Sequence, residues 1–235
     1  HLIEHFLGKD YKIAVVSRGY GRKTKGLLKV SIDSKATEVG DEPLLLKLRY
    51  PKVNIWVSEK RIYGIKAAEK QKVDVILMDD NFQHRSINVD YQFMLSKYKQ
   101  PFFKDYPMPT GALREFRQGA KRADSIIYTS SPKECNSEYI KQTKRYSTAE
   151  VHFAQHKSMD LNWISNPKQH LEQVLAISGI ASPTGFITHC KTLSKEVITM
   201  TFKDHKNYTE RDRETFVAMC NRLKSNNKAI VCTEK

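Results

Sequence analysis

The chain has 235 residues, enough for one substantial core or for a core with a smaller satellite. Its content of 40% hydrophobic and 28% charged residues excludes a disordered or fibrous chain, and no run approaches the roughly 18 apolar residues of a membrane span. With 40 Lys and Arg against 26 Asp and Glu, the net charge of +14 admits a polyanionic partner (nucleic acid, an anionic membrane or a phosphorylated substrate) or a plainly basic soluble protein.

No charged segment followed by an apolar stretch opens the chain, as a secretory leader would. Cys135, Cys190, Cys220 and Cys232 are scattered, with no C-x-x-C pair and no His cluster at zinc spacing. Reduced thiols in a cytoplasmic protein, with packing as their role, are the expectation. Leu2, Ile3, Phe6 and Leu7 form the apolar face of a helix with no cap before it, and Thr233-Glu234-Lys235 stops at the edge of a strand. An alternating α/β chain should have a strand and turn ahead of such a helix, so the expectation is a fragment cut at both ends.

Apolar and β-branched runs at 12–17, 53–58, 73–78, 91–96 and 124–129 predict strands, and 41–49, 60–72 and 112–122 predict helices between them. Strands separated by helices imply parallel pairing with right-handed crossovers, hence an α/β sheet. The polar, weakly periodic stretch 156–170 reads as a connection. Beyond it come a strand at 173–178, a helix near 183–191, a strand at 196–202, a helix at 209–224 and a strand at 228–233. The expected organisation is therefore one lobe over 1–155 and a smaller α/β lobe over 156–235.

Five segments carry possible chemistry. Ser17-Arg18-Gly19-Tyr20-Gly21-Arg22-Lys23 directly follows the first strand. Ligands of open α/β sheets sit at such carboxyl ends, and two glycines with three cations suit a phosphate, although an ordinary basic turn has the same composition. Gly40-Asp41-Glu42-Pro43 opens a helix, where acids and Pro are favoured for local reasons alone. Val75-Ile76-Leu77-Met78-Asp79-Asp80 is an apolar strand ending in two carboxylates, which repel one another unless a cation sits there. It has the Walker B arrangement, in which an acid at the strand tip holds Mg²⁺. Gln83, His84 and Arg85 follow it and admit structural roles. Pro109-Thr110-Gly111-Ala112-Leu113-Arg114-Glu115 places an Arg and a Glu at a predicted helix start, to pair with each other or to face a phosphate and its metal. Phe202-Lys203-Asp204-His205-Lys206-Asn207-Tyr208 ends a strand with an Asp-His pair, an acid/base element or a surface turn.

Taken in order, Ser-Arg-Gly-Tyr-Gly-Arg, Gly-Asp-Glu-Pro, Asp-Asp-x-Phe-Gln-His-Arg, Pro-x-Gly-x-Leu-Arg-Glu and Asp-His resemble the tetraacyldisaccharide 4'-kinase family of lipid A biosynthesis. So do Ser178-Gly179-Ile180-Ala181-Ser182-Pro183 and Thr233-Glu234-Lys235, and the resemblance runs from end to end of the chain. Asn81, Thr110, Phe116 and Lys206 depart from the family's usual residues without removing a carboxylate. The resemblance implies a P-loop NTPase-like nucleotide-binding lobe with a parallel sheet, closed by the smaller lobe, with the Walker A loop expected just before His1.

It further implies transfer of the γ-phosphate of ATP to the 4'-hydroxyl of tetraacyldisaccharide 1-phosphate. Asp41 would take the hydroxyl proton, with His205 bonded to it. Asp79, Asp80 and Glu115 would bind Mg²⁺ directly or through water. Arg18, Arg22 and Arg114 would face phosphates, with Glu42 and His84 as further binding candidates. The partners implied are a glycolipid substrate and an anionic membrane surface, not nucleic acid, and the place is the cytoplasmic face of the bacterial inner membrane, held peripherally. A catalytically inert lipid-binding relative and a nucleic-acid-binding ATPase-like module are the alternatives. The second lacks an RNA-recognition aromatic signature, zinc spacing or a clear helix-turn-helix.

Overall fold

The structure, a computed structural model, describes residues 1–155, 171–206 and 208–234. The connection expected over 156–170 lies outside the described residues, as do Asn207 of the Asp-His segment and Lys235. The chain divides into two compact units, one made of the described residues of 1–77 and 160–235, the other of 78–159.

The first unit begins with α1 (Leu2–Leu7), β1 (Ile13–Ser17), β2 (Leu28–Lys29), α2 (Ala36–Val39), α3 (Asp41–Arg49), β3 (Asn54–Val57), α4 (Arg61–Glu69) and β4 (Val75–Met78). The strand order is β2-β3-β1-β4, with β1 parallel to β3 and β2 antiparallel to it. All five residues of β1 are buried, which is why it reads as a continuous apolar run rather than an alternation. Ile13 and Val15 pack with Val30, Val39, Val53, Ile55 and Val57 on one face. Alternation turns Ala14 and Val16 to the other face, where α4 brings Gly64 against Val16.

The second unit carries β5 (Phe93–Lys97), a 3₁₀ turn at Phe102–Lys104, a 3₁₀ helix at Arg117–Arg122, β6 (Ser125–Thr129), α5 (Glu138–Lys144) and β7 (Glu150–Phe153). Its three strands are parallel in the order β5-β6-β7. Its core is aromatic: Phe102, Phe103 and Tyr128 are buried, with Tyr139, Tyr146 and Phe153 packed around them. Burial pushes the Tyr128 hydroxyl up to about 12, and that hydroxyl shares a 2.5 Å hydrogen bond with Thr143 Oγ1.

Two expectations fail here. The helix predicted over 112–122 exists only as the 3₁₀ helix Arg117–Arg122, so Arg114 and Glu115 lie in a loop and not at a helix start. The backbone there is committed elsewhere: Leu113 N–H donates to Tyr106 O, Met108 N–H to Leu113 O, both at 3.0 Å, and Ala112 N–H to Asp105 Oδ1 at 3.2 Å. The strand predicted at 91–96 starts two residues later, at Phe93.

The C-terminal part of the first unit is β8 (Gln173–Ser178), α6 (Thr184–Leu193), β9 (Glu196–Thr201), α7 (Glu210–Arg222) and β10 (Lys228–Cys232), close to the elements expected from sequence. The strands are parallel in the order β10-β8-β9. The central strand β8 is buried throughout: Val174 and Ala176 meet Phe186 and Cys190 of α6, while Leu175 and Ile177 meet Phe216 and Met219 of α7. A capping box opens α7, with Thr209 Oγ1 accepting from Asp212 N–H and the Asp212 carboxylate accepting from Thr209 N–H. The four cysteines are free thiols, and burial raises the pKa of Cys190, consistent with a packing role. Among the described residues no helix is long and apolar enough to cross a membrane.

Candidate functional site

Three of the sequence motifs meet in the first unit. The loop after β1 and the turn before α3 touch backbone to backbone. Gly19 and Gly40 both have positive φ, 71° and 92°. A Cβ on Gly40 would stand 2.9 Å from Tyr20 O, and one on Gly19 would stand 2.8 Å from Val39 O. Only glycine at both positions allows this approach. The contact is pinned by Lys23 N–H donating to Thr37 O at 2.7 Å and by the Thr24 hydroxyl donating to Glu38 O.

This packing fixes the start of α3, whose first residue is Asp41. Its Oδ1 accepts from Glu42 N–H at 2.9 Å, the position where the helix dipole favours a carboxylate. Its Oδ2 lies 2.6 Å from His205 Nδ1. An ionised carboxylate only accepts, so Nδ1–H of the imidazole is the donor. The Tyr20 ring stands 5.2 Å from the imidazole, and Asp204 Oδ1 accepts the His205 backbone N–H at 3.1 Å. His205 itself has φ 57°, a sparsely populated conformation for a non-glycine residue, as is common where geometry serves a site. The side chains of His205 and Asp41 are 30% and 31% exposed, so the pair is held yet reachable from solvent.

The cations of the first loop differ sharply. Arg18 is exposed. The Arg22 side chain is only 3% exposed and donates to Glu59 at 2.6 Å and to Gly26 O at 2.7 Å. Glu59 is held below the usual carboxylate range by its own backbone N–H, and then by those of Gly26 and by Arg22. Arg22 therefore closes the 22–26 loop, whatever else it contacts. Glu42 is exposed at the first turn of α3.

The second unit holds the remaining candidates. Asp79 and Asp80 follow β4 and are both exposed, and Asp80 has φ 45°. Arg114 Nη1 donates to both oxygens of Asp80 at 2.7 Å, and this hydrogen bond raises the Arg114 pKa. Glu115 Oε1 accepts from Arg122 at 2.6 Å and from Gln83 Nε2 at 3.4 Å. His84 Nε2 lies 3.2 Å from the Ser86 hydroxyl. Among the described residues no three His, Cys, Asp or Glu side chains are gathered as a metal cage. The Asp79–Asp80 pair nonetheless fits Mg²⁺ chemically, because that ion is usually held by one or two carboxylates, with water and substrate phosphates completing the shell.

Three participants lay outside the residues singled out from sequence. Tyr20 was inside a quoted motif, but nothing in the pattern tells that its ring meets an imidazole 185 residues away. Glu59 and Arg122 are ionic partners of chosen residues, and a partner chosen by tertiary folding leaves no local spacing to read.

The family described as tetraacyldisaccharide-1-P 4'-kinase matches residues 1–235. A protein named tetraacyldisaccharide 4'-kinase from Cytophaga hutchinsonii is 35% identical, covering 100% of this chain and 68% of that protein. One of the same name from Porphyromonas gingivalis is 34% identical, covering 96% of this chain and 67% of its own length. Among solved structures, the "apo" form of LpxK from Aquifex aeolicus in complex with ATP is 28% identical, with a TM-score of 0.69 over 99% of this chain and 71% of that one.

Proposed function

The chain belongs to the tetraacyldisaccharide-1-P 4'-kinase family, and on that premise we propose that it transfers the γ-phosphate of ATP to the 4'-hydroxyl of tetraacyldisaccharide 1-phosphate, a step of lipid A biosynthesis. The observation that carries the reading is the 2.6 Å contact between Asp41, at the start of α3, and His205, in the segment after β9, residues 164 apart in sequence. Phosphoryl transfer asks for positioning, charge neutralisation and a modest base. Asp41 accepts the proton of the sugar hydroxyl as the new phosphorus–oxygen bond forms and the bond to the β-phosphate breaks, releasing ADP, and the bond from His205 Nδ1–H keeps that carboxylate oriented. The loop after β1, with Arg18 exposed in it, and the Asp80–Arg114 pair supply charge for phosphates.

Asp79 and Asp80 are the residues that would hold Mg²⁺, with Glu115 acting through water. Mg²⁺ when bound would neutralise charge on the phosphates. Glu42 and His84 serve as further binding groups. The functional lobes in this reading are residues 1–155 and 156–235. Binding to the membrane is peripheral, at the anionic cytoplasmic face of the inner membrane, where the net charge of +14 is an advantage worth about 1 kcal/mol for each Lys or Arg near the surface.

The test is direct. The full-length protein, given ATP, Mg²⁺ and the lipid in detergent, should yield a bis-phosphorylated lipid. No product under conditions where the Cytophaga relative turns over would refute the reading.

A further inference from the structure

The segment between β9 and α7, which carries His205, is anchored at both ends. Phe202 N–H donates to Ser178 O at 2.8 Å as the chain leaves β9. The rings of Phe202 and Tyr208 lie 5.5 Å apart, and each stands 5.7 Å from the Phe216 ring of α7, all three edge to face. Such contacts stabilise beyond the area they bury, so both ends of the segment are pinned against one helix. Between them the chain turns through His205, whose φ of 57° is costly for a residue with a Cβ. A conformation of that kind persists only where the surrounding contacts over-determine it.

Lys206 supplies one such contact. Its ammonium lies 3.2 Å from Asp212 Oδ2 and 5.8 Å from the centre of the Phe202 ring, and both members of the ion pair are partly buried. The carboxylate is not a mobile partner. The same Oδ2 accepts the Thr209 N–H at 2.8 Å and the Thr209 hydroxyl at 2.7 Å, within the capping box that starts α7. Those two donors, and Lys206 after them, hold the Asp212 carboxyl below the usual carboxylate range, so it is charged at neutral pH. An ion pair between two free side chains loses entropy on both sides, whereas here only Lys206 has to be ordered. The side chains of His205 and Lys206 thus run from adjacent residues to two fixed carboxylates, Asp41 at the start of α3 and Asp212 at the start of α7. We propose that Lys206 is a positioning residue for the Asp41–His205 pair, tying its segment to α7 and so setting the backbone from which the imidazole reaches Asp41. It acts through His205 and not on the reacting atoms. Its consequence for turnover rests on the kinase reading, and its consequence for the geometry of the pair does not.

Lys206→Met, made in the full-length protein, keeps an apolar stem and removes the ammonium, and Lys206→Arg keeps the charge. In steady-state kinetics Lys206→Met should lower kcat about tenfold, since a small displacement of a catalytic group costs that much or more. The lipid KM should change less, and Lys206→Arg should recover most of the loss. In a His205→Ala background Lys206→Met should lower kcat no further, because the group it acts through is gone. The thermal midpoint should move little, since a partly exposed ion pair adds little to stability. The geometry is read without turnover by NMR of protein carrying isotope-labelled histidine, the His205 Cε1–H resonance being the one lost in His205→Ala. In Lys206→Met that resonance should move toward its position in Asp41→Ala, and in Lys206→Arg it should stay near its wild-type position. If Lys206→Met does not fold, Asp212→Asn reads the same quantities from the other side, since it keeps an oxygen for the Thr209 N–H and removes the charge. An unmoved resonance overturns the proposal, as does an equal further loss of kcat in the His205→Ala background, or Lys206→Arg as impaired as Lys206→Met. A protein that transfers nothing would defeat the kinase reading alone, and the resonance would still decide whether Lys206 holds the pair.

Discussion

Two of the molecule's carboxylate pairs, Asp41–His205 and Asp80–Arg114, are built on different principles. Asp41 meets an imidazole, is less than a third exposed, and stands at a helix start fixed by two glycine turns in backbone contact. Asp80 meets a guanidinium, with the Asp80 and Arg114 side chains 59% and 56% exposed, at a strand tip and in an irregular loop. An imidazole exchanges protons near neutral pH, whereas a guanidinium never does. The first pair is thus equipped to manage a proton, and the second to store charge that a cation or phosphate displaces. Each scaffold suits its chemistry, since a proton transfer needs a fixed distance, while ligands that arrive and leave need side chains that let go.

The largest effect should come from dividing the first pair. Asp41→Ala or His205→Ala should lower kcat at least about a hundredfold, the range of general acid–base catalysis. If the two act as one unit, the double variant should lie within about tenfold of either single one, because residues of one catalytic unit are strongly non-additive. The lipid KM should move less than kcat, since the pair serves the transition state. Multiplicative losses in steady-state kinetics would give the two residues separate roles and erase the contrast between the pairs.

Asp80→Ala comes next, with kcat falling about a hundredfold, as loss of electrostatic stabilisation typically gives. The sharper measurement is the Mg²⁺ dependence. Asp80→Ala should need more Mg²⁺ for half-maximal rate, and Asp41→Ala should not. Equal Mg²⁺ dependence in the two variants, or normal activity in Asp79→Ala/Asp80→Ala, would make the strand-tip acids structural.

How legible each pair is in the sequence differs for a physical reason. Asp79 and Asp80 announce themselves because an apolar run ending in two acids is a local pattern, and β4 ends there as expected. Gly40-Asp41 taken by itself looks like any helix start, and Asp204-His205 like any turn; only tertiary folding joins them. The alternation of elements is likewise readable in β1, β3, β8 and β9, whose apolar runs supply Val15, Ile55 and Leu175 to the buried core. The irregular loop holding Arg114 is not. Its hydrogen bonds go to Tyr106, Asp105 and Met108, partners that no periodicity reports, while Leu-Arg-Glu taken locally favours a helix.

A smaller effect, on stability, tests the scaffold of the first pair. Gly40 has φ 92° and ψ 150°, a conformation close to exclusive to glycine, and a Cβ there would press on Tyr20 O. Gly40→Ala should cost about 1–3 kcal/mol in denaturant unfolding, the range for one strained residue. It should also reduce kcat, because Asp41 is the next residue and moves with the turn. Gly26 has φ 80° with nothing within 4 Å of its added Cβ, so Gly26→Ala has the strain of conformation without the collision. A Gly26→Ala cost equal to that of Gly40→Ala would show that the backbone contact between the two turns contributes nothing.

The smallest expected effect separates the second pair from the first most cleanly. Arg114 touches Asp80 through one nitrogen, Nη1, which reaches both carboxylate oxygens at 2.7 Å. The two-nitrogen fork that makes Arg–carboxylate pairs strong is absent from this pair. Both side chains are more than half exposed, so water screens their attraction, and fixing two mobile side chains opposes it. Exposed pairs of this kind typically contribute about 0–1 kcal/mol. Arg114→Ala should therefore leave the free energy of chemical unfolding within that margin, while weakening binding of the phosphate-bearing ligands. Arg114→Lys should be closer still to wild type in stability, because an ammonium can take the place of the single nitrogen. A stability loss of several kcal/mol in Arg114→Ala would mean that the pair holds the loop in place, and Asp80 would then be a structural acid rather than charge held ready for a ligand.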